Sequence, residues 1–393
     1  MNPYRISTPP RRWDPKMSAV FVRLFRWFGR RKSLKDCQVT RYHIENLEAV
    51  RQAVQDGQGV LITPNHATHA DPYTMTEASY QAGFPFYFMA TWHVFDYQGT
   101  LGQWFLQKHG VFSIDREATD RRAMEIAQDI LKTKPHPLVI FPEGDVYHCN
   151  DRVTPFREGA ASLALFAARK SKRPIVAIPC GLKYRYLNDP TNELLELMNR
   201  LEEAIHWRSR PDLSLSDRLY RLGGALIALK ELEYLKQMRH GSLTERTAFL
   251  ADFILRKHEQ IQGFSPVGKS IPERVKELRR RTIQRLEELN DDDTEALEDV
   301  HRDLDDLMLV IQLFSYPGNY VIENPSIERI AETMDKLEED LLQKATATVR
   351  GNREVYIRFG DPIHVPTQRR RGAANELTGK LESAVQTIVD QLN

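Results

Sequence analysis

The chain is 393 residues long, room for two or three average domains or for one domain with a large insertion. Its composition, 41% hydrophobic and 28% charged, is that of an ordinary globular protein, and a net charge of +1 gives no overall pull toward nucleic acid. Three widely separated cysteines, Cys37, Cys149 and Cys180, argue against a disulfide framework.

Basic charge is concentrated at the start. Residues 1–35 carry Arg5, Arg11, Arg12, Lys16, Arg23, Arg26, Arg30, Arg31, Lys32 and Lys35 against one acid, Asp14. Within them, MSAVFVRLFRWFGRRK (17–32) places Val20, Phe21, Leu24, Phe25 and Phe28 at the spacing of one helix face, with the arginines largely between them. Large aromatics beside arginines suit a helix lying in a membrane interface, drawn to anionic lipid. The same pattern also suits a helix docked on the protein's own core with its basic face in water. No stretch reaches the roughly 18 apolar residues of a membrane span, and none reads as a signal peptide. The expected location is therefore the cytoplasm, with peripheral membrane association.

From 39 to 185, short apolar runs alternate with helical patterns. Strands are expected at Val60–Thr63, Phe86–Met89, Val111–Ile114, Leu138–Phe141 and Ile175–Ile178, with helices near 46–55, 72–82, 100–108, 119–132 and 157–169. This interleaving predicts an α/β layered domain. Residues 190–345 are rich in Leu, Glu, Lys and Arg and read as helical. There Ser270-Ile-Pro-Glu273 resembles a capping box, opening a helix with a stripe of Val275, Leu278, Leu286 and Leu289. Asp291-Asp-Asp-Thr294 breaks that helix and starts another, the Pro-Gly of SYPGN (315–319) marks a turn, and a further helix begins at Pro325. EVYIRFGDPIHV (354–365) returns to strand alternation, and a final helix spans 372–392. The organisation read from the chain is a basic amphipathic segment, 1–38; an α/β domain of 39–189 and 346–393, a layered sheet with flanking helices; and a helical insertion, 190–345.

TPNHATHADP (63–72) follows the apolar run Gly59-Val60-Leu61-Ile62. On a regular helix, five steps of about 100° set His66 and Asp71 about 140° apart, so they meet only across a turn. Pro64 and the loop-like composition permit one. If they meet, Asp71 accepts a hydrogen bond from one ring nitrogen and leaves the other as a base facing a substrate hydroxyl. The alternative is that His66 caps the next helix and Asp71, before Pro72, is its N-cap. Farther on, LVIFPEGDVYHCNDRVTPFREGAASLA (138–164) ends an apolar strand in Phe141-Pro142-Glu143-Gly144. Glycine permits a sharp turn there, and a glutamate at a strand end sits where α/β sheets bind ligands. Arg157, Glu158 and Gly159 begin the next helix, and in GVFSIDRE (110–117) Arg116 directly follows another strand.

Four blocks, in order, make the sequence resemble the glycerophospholipid acyltransferases, the lysophosphatidic acid acyltransferase-like superfamily. They are Asn65-His66 with Asp71, Phe112 to Asp115-Arg116, Phe141 to Gly144, and Val176-Ala-Ile-Pro179. PFREGAASLA resembles the helix start after the third block, and EVYIRFGDPIHV resembles the closing strand. The resemblance covers about 39–185. It implies an acyltransferase-like fold and transfer of a fatty acyl group from acyl-CoA or acyl carrier protein to a hydroxyl of a glycerol-phosphate or lysophospholipid acceptor, as in phospholipid biosynthesis. It implies His66 as general base oriented by Asp71, with direct attack on the thioester and no covalent acyl-enzyme. Asn65, Arg116, Glu143, Gly144 and Arg157 are then expected to contact substrate. Arg116 offers a fork of donors for phosphate, and Gly144 lets the backbone come close. Phe141, Pro142 and Pro179 are expected to line an acyl pocket. The thioester is a co-substrate, and no cofactor is expected.

The departures carry information too. After the glycine the family usually has Thr or Ser, then Arg, then Ser; here stand Asp145, Val146 and Tyr147. Arg152 and Arg157 are the candidates to replace the missing arginine, and the acceptor need not be lysophosphatidic acid. The long helical block is unusual for the family and would serve as a lid, a tunnel wall or a partner surface. His69 and His148, with Asp145, Cys149 and Asp151, invite a metal, but no tight ligand pair such as Cys-x-x-Cys occurs, so none is expected. The rival readings are a hydrolase using the same pair with water on a thioester, and a catalytically silent membrane adaptor. Nucleic acid is not an expected partner, because the basic excess is confined to a short segment with no recognisable binding fold.

Overall fold

The computed structural model describes residues 11–117, 120–290 and 292–392. They form two compact units: Pro190–Thr348, and the described residues up to Asp189 together with those from Val349 onward.

The second of these is a mixed α/β unit. Its strands are β1 (Val39–Glu45), β2 (Gly59–Pro64), β3 (Tyr87–Thr91), β4 (Val111–Ile114), β5 (Leu138–Val139), β6 (Ile175–Tyr186), β7 (Arg353–Phe359) and β8 (Ile363–His364). They lie in the order β1-β7-β6-β2-β5-β3-β4, with β8 also on β6. Pairing is parallel except where β6 meets β7 and β8. Strand β2 is buried along its whole length, as an inner parallel strand must be. Its side chains alternate between faces. Val60 and Ile62 pack with Met75 and Ala78, while Leu61 packs with Ala127, Leu131 and Ala164. Each such aliphatic burial contributes about 1.5–3 kcal/mol. Gly59 begins the strand because a Cβ there would fall 2.1 Å from the Leu131 carbonyl oxygen.

Several elements depart from the sequence reading. Strand β1 was not anticipated: it is a sheet edge with mainly Val39 buried, so its sequence lacks a clean alternation. Strand β6 runs through Pro179 to Tyr186, because the antiparallel partner β7 carries the ladder on and the Pro179 carbonyl accepts from Gly360 N. Strand β5 stops at Val139, where the chain bends toward Pro142. The amphipathic N-terminal segment is two helices, Ala19–Leu24 and Arg26–Cys37, broken at Phe25. It is preceded by Trp13, which is buried, stacks on Phe95 at 5.0 Å and exchanges hydrogen bonds with Ser113. Residues 1–10 with Arg5, residue 119 at the start of the 119–132 helix, and Asp291 lie outside the described residues.

The helical unit contains Thr191–Ala204, Leu215–Leu235, Leu243–Ile261, Ile271–Glu287, Thr294–Phe314, Tyr320–Glu323 and Ile327–Leu341. The capping box of Ser270 and Glu273 opens its helix, and Ile254, Leu255, Val275, Leu278, Leu307 and Val310 share a core. The helix expected from Pro325 starts instead after Ser326, whose hydroxyl accepts from Arg329 N and so provides the cap proline cannot. Among the described residues, no helix is long and apolar enough to cross a membrane.

Candidate active site

Strands β2, β4 and β5 run parallel, and the residues after their C-terminal ends converge on one edge of the sheet, where open α/β sheets bind ligands. After β2 the chain turns through residues 65–70 before helix Asp71–Ala82. Across this turn His66 Nδ1 lies 2.8 Å from Asp71 Oδ2. Asp71 does not cap its own helix forward. Its Oδ2 instead accepts from Thr68 N at 3.0 Å, and its Oδ1 from the Tyr184 hydroxyl at 2.7 Å. A carboxylate only accepts, so the imidazole holds its proton on Nδ1 and turns Nε2 outward as the basic nitrogen. Asp71 is fully buried, whereas the His66 side chain is 15% exposed. The Phe141 ring stacks on His66 with centroids 4.2 Å apart.

Following β5, residues Phe141–Gly144 form a turn closed by Gly144 N donating to Phe141 O. Gly144 has φ +79°, a conformation open to glycine. The turn points Glu143 inward. Its Oε1 accepts from His66 N at 2.7 Å and its Oε2 from Thr154 N at 3.1 Å, so it ties together the loops after β2 and β5. Burial pushes the Glu143 carboxyl up to about 8, against the opposing pull of those two amides. Expected at the substrate, Glu143 is buried and engaged with backbone.

Asn65 is likewise committed. Its amide donates to Leu182 O at 3.0 Å and accepts from Leu182 N at 2.7 Å, filling the place of a strand partner where β2 has ended. Asn150 does the same for Tyr184. Arg116 Nη1 donates to Gly144 O at 2.5 Å and lies 3.7 Å from Asp145. Arg157 N donates to Pro142 O, and its guanidinium rests against Gly144, where a Cβ would fall 2.7 Å from Arg157 Cζ. Thus both arginines meet at the same glycine. Pro179 stands apart from Phe141 and Pro142. Ile178 and Cys180 point into the core that Phe141 packs against, so Pro179 between them faces the opposite side of the sheet, beside Gly360 and Ile388. His69 and His148 meet edge to face with centroids 5.5 Å apart, His148 being buried with φ +51°.

Sequence reasoning missed Tyr184 and Thr154. Tyr184 meets a partner 113 residues away, and Thr154 meets Glu143 through its backbone amide, a contact that no side-chain pattern signals.

These features define a mixed α/β domain with a histidine–carboxylate pair at the ligand-binding edge of its sheet. Residues 39–183 match the model of the Acyltransferase family, of the glycerophospholipid acyltransferase superfamily. No curated protein gives a significant match to the chain.

Proposed function

We propose that the chain transfers a fatty acyl group from acyl-CoA or acyl carrier protein to a hydroxyl of a glycerol-phosphate or lysophospholipid acceptor. The observation that carries this reading is the 2.8 Å contact of His66 Nδ1 with buried Asp71, inside an acyltransferase domain. Asp71 holds the proton on Nδ1, and Nε2 takes the acceptor's hydroxyl proton as the oxygen attacks the thioester carbonyl carbon. Collapse of the tetrahedral intermediate breaks the carbon–sulfur bond, and the imidazolium returns its proton to the leaving thiolate. Removing such a base typically costs about 10²–10⁴-fold in rate.

Arg116 and Arg157 hold the acceptor's anionic group beside Gly144, where backbone can approach closely. Glu143 and Asn65 fix the loop that carries His66. The apolar body of Phe141 shields the imidazole and begins the acyl path with Pro142. Membrane attachment is through the N-terminal helices, whose Val20, Leu24, Trp27 and Phe28 are exposed beside arginines.

The test is purified protein with labelled oleoyl-CoA or oleoyl-acyl carrier protein, glycerol phosphate and a panel of lysolipids. The expected result is acceptor-dependent label in a new ester, absent with His66→Ala. Label released as free fatty acid at the same rate without acceptor would overturn transferase in favour of hydrolase.

A further inference from the structure

Tyr184 lies one residue beyond the segment matched to the family. It stands on β6, where β2 has already ended, and Asn150 holds both its backbone groups. Its side chain crosses to helix Asp71–Ala82. The hydroxyl donates to Asp71 Oδ1 at 2.7 Å and lies 2.9 Å from Thr74 Oγ1. Because the tyrosine's one proton is spent on a carboxylate that can only accept, Thr74 is the donor in the second contact. Asp71 and Thr74 are fully buried and Tyr184 nearly so, and burial holds the phenol well above its ordinary pKa, keeping it a donor.

We infer that Tyr184 is a positioning residue for the His66–Asp71 pair. The chain of bonds from Thr74 to Tyr184 to Asp71 fixes the plane of the carboxylate, so that Oδ2 stays on His66 Nδ1. Without the phenol, Oδ1 is a buried acceptor with a lost donor. The carboxylate then turns about its Cβ–Cγ bond toward other donors and draws Oδ2 off the imidazole. Orienting partners one bond removed from the chemistry carry roughly 10–100-fold of function in other sites. The kinetic part of this inference rests on His66 being the base of the proposed transfer; the structural part does not.

The experiment uses the full chain as wild type, Tyr184→Phe, Thr74→Val and His66→Ala. The Nδ1–H proton of His66 is assigned by nuclear magnetic resonance from its loss in His66→Ala. Tyr184→Phe is expected to broaden or remove that resonance and to lower kcat roughly tenfold, with both KM values within about twofold. Thr74→Val, which keeps the phenol but not its donor, is expected to weaken the resonance partially and to lower kcat about threefold, and it decides the matter should Tyr184→Phe fail to fold. A folded Tyr184→Phe protein that keeps both the resonance and kcat overturns the inference, as does a Thr74→Val protein unchanged in both where Tyr184→Phe does not fold. If the wild type transfers no acyl group, the functional reading fails by itself, and the resonance in the variants still decides for or against Tyr184.

Discussion

Each of the two units holds a histidine, an aspartate and a tyrosine bonded in the same pattern. In the α/β unit Tyr184 donates to one oxygen of Asp71 and His66 meets the other. In the helical unit Tyr234 donates to Asp306 Oδ1 at 2.6 Å, and His258 Nε2 lies 2.9 Å from Oδ2. The surroundings differ. His258 sits in the last turn of helix Leu243–Ile261, fully buried, with its other nitrogen 3.7 Å from Asp303. Burial pushes the Asp306 carboxyl up, but the bonds from His258 and Tyr234 and the charge of Lys257 outweigh it and hold the group below its ordinary value. His66 sits in a turn after a strand, part exposed, with one nitrogen turned away from its aspartate. Equal side chains therefore make a structural clamp in a helix core and, on the proposed function, an acid–base pair at a sheet edge. What separates them is access for a substrate to the second nitrogen.

The largest effects test that contrast directly. His66→Ala is expected to lower acyl transfer by about 10²–10⁴-fold, with a stability loss of about 1–3 kcal/mol, since buried Asp71 keeps Thr68 N and the Tyr184 hydroxyl as donors. His258→Ala is expected to act on stability alone. It removes one of the three groups that hold buried Asp306, leaving Tyr234 and Lys257, a loss of about 1–3 kcal/mol in denaturant unfolding, with kcat of the folded fraction within about threefold of wild type. A stable His258→Ala protein without activity would break the comparison, since the helical trio would then take part in the reaction.

The sequence displayed the site unevenly. His66 and Asp71 are five residues apart, so one turn unites them and the pair is visible locally. Tyr184 is 113 residues from Asp71, and only the pairing of β6 beside β2 brings it there. Glu143 was visible as a residue type at a strand end, but not its direction, which the turn closed by Gly144 sets. Pro179 was grouped with Phe141 from the order of blocks, whereas side-chain parity along β6 puts it on the other face. Edge strand β1 stayed hidden because an edge need not alternate, and Tyr42 and Ile44 are only partly covered. The inner strands were legible because burial on both faces demands continuous apolar runs.

Arg116 and Glu143 sharpen the distinction between residues proposed to touch substrate and residues that hold the scaffold. Arg116→Ala is expected to raise the acceptor KM with little change in donor KM. Loss of a charged hydrogen bond is worth roughly 1.5–3 kcal/mol, about 10–150-fold in kcat/KM. Arg116→Lys recovers part of this, because an ammonium lacks the planar fork. Initial rates with each substrate varied in turn decide it, and a rise in donor KM alone would move Arg116 to the thioester side.

Glu143→Gln is expected to act on stability, by about 1–3 kcal/mol, since an amide accepts from only one of the two backbone donors. The pH dependence has a definite sign. The folded carboxyl titrates near 8, above its unfolded value of about 4.5. Its contribution to stability is therefore fully present below about 4.5 and is lost as pH rises toward 8. The wild-type advantage over Glu143→Gln should shrink across that window and level off above it. Paired denaturant titrations from pH 5 to 9 measure this, and an advantage that grows with pH contradicts the assignment.

The smallest effect concerns the N-terminal surface. Phe21 packs on Trp104 and Phe105, with centroids at 5.0 and 5.5 Å, so helix Thr100–Lys108 joins the N-terminal helices in one apolar face. On these helices Leu24, Trp27 and Leu101 are 73%, 68% and 80% exposed, a combination an aqueous surface does not reward. Part of the basic charge is already met by protein: Arg30 bonds Glu77, and Arg26 lies 3.9 Å from it. Lipid attraction should accordingly come more from apolar insertion than the arginine count suggests. Removing the whole segment would also strip buried Trp13 from the core, so single replacements are the cleaner probe. Leu24→Ala, Trp27→Ala and Leu101→Ala should each weaken partition into vesicles containing phosphatidylserine by on the order of 1 kcal/mol, about fivefold. Turnover on detergent-dispersed acceptor should stay at wild-type level. Raising salt should weaken partition of the wild type and of each variant by the same factor, since the arginines are retained. Variants that float with vesicles as the wild type does would place the membrane contact on another face.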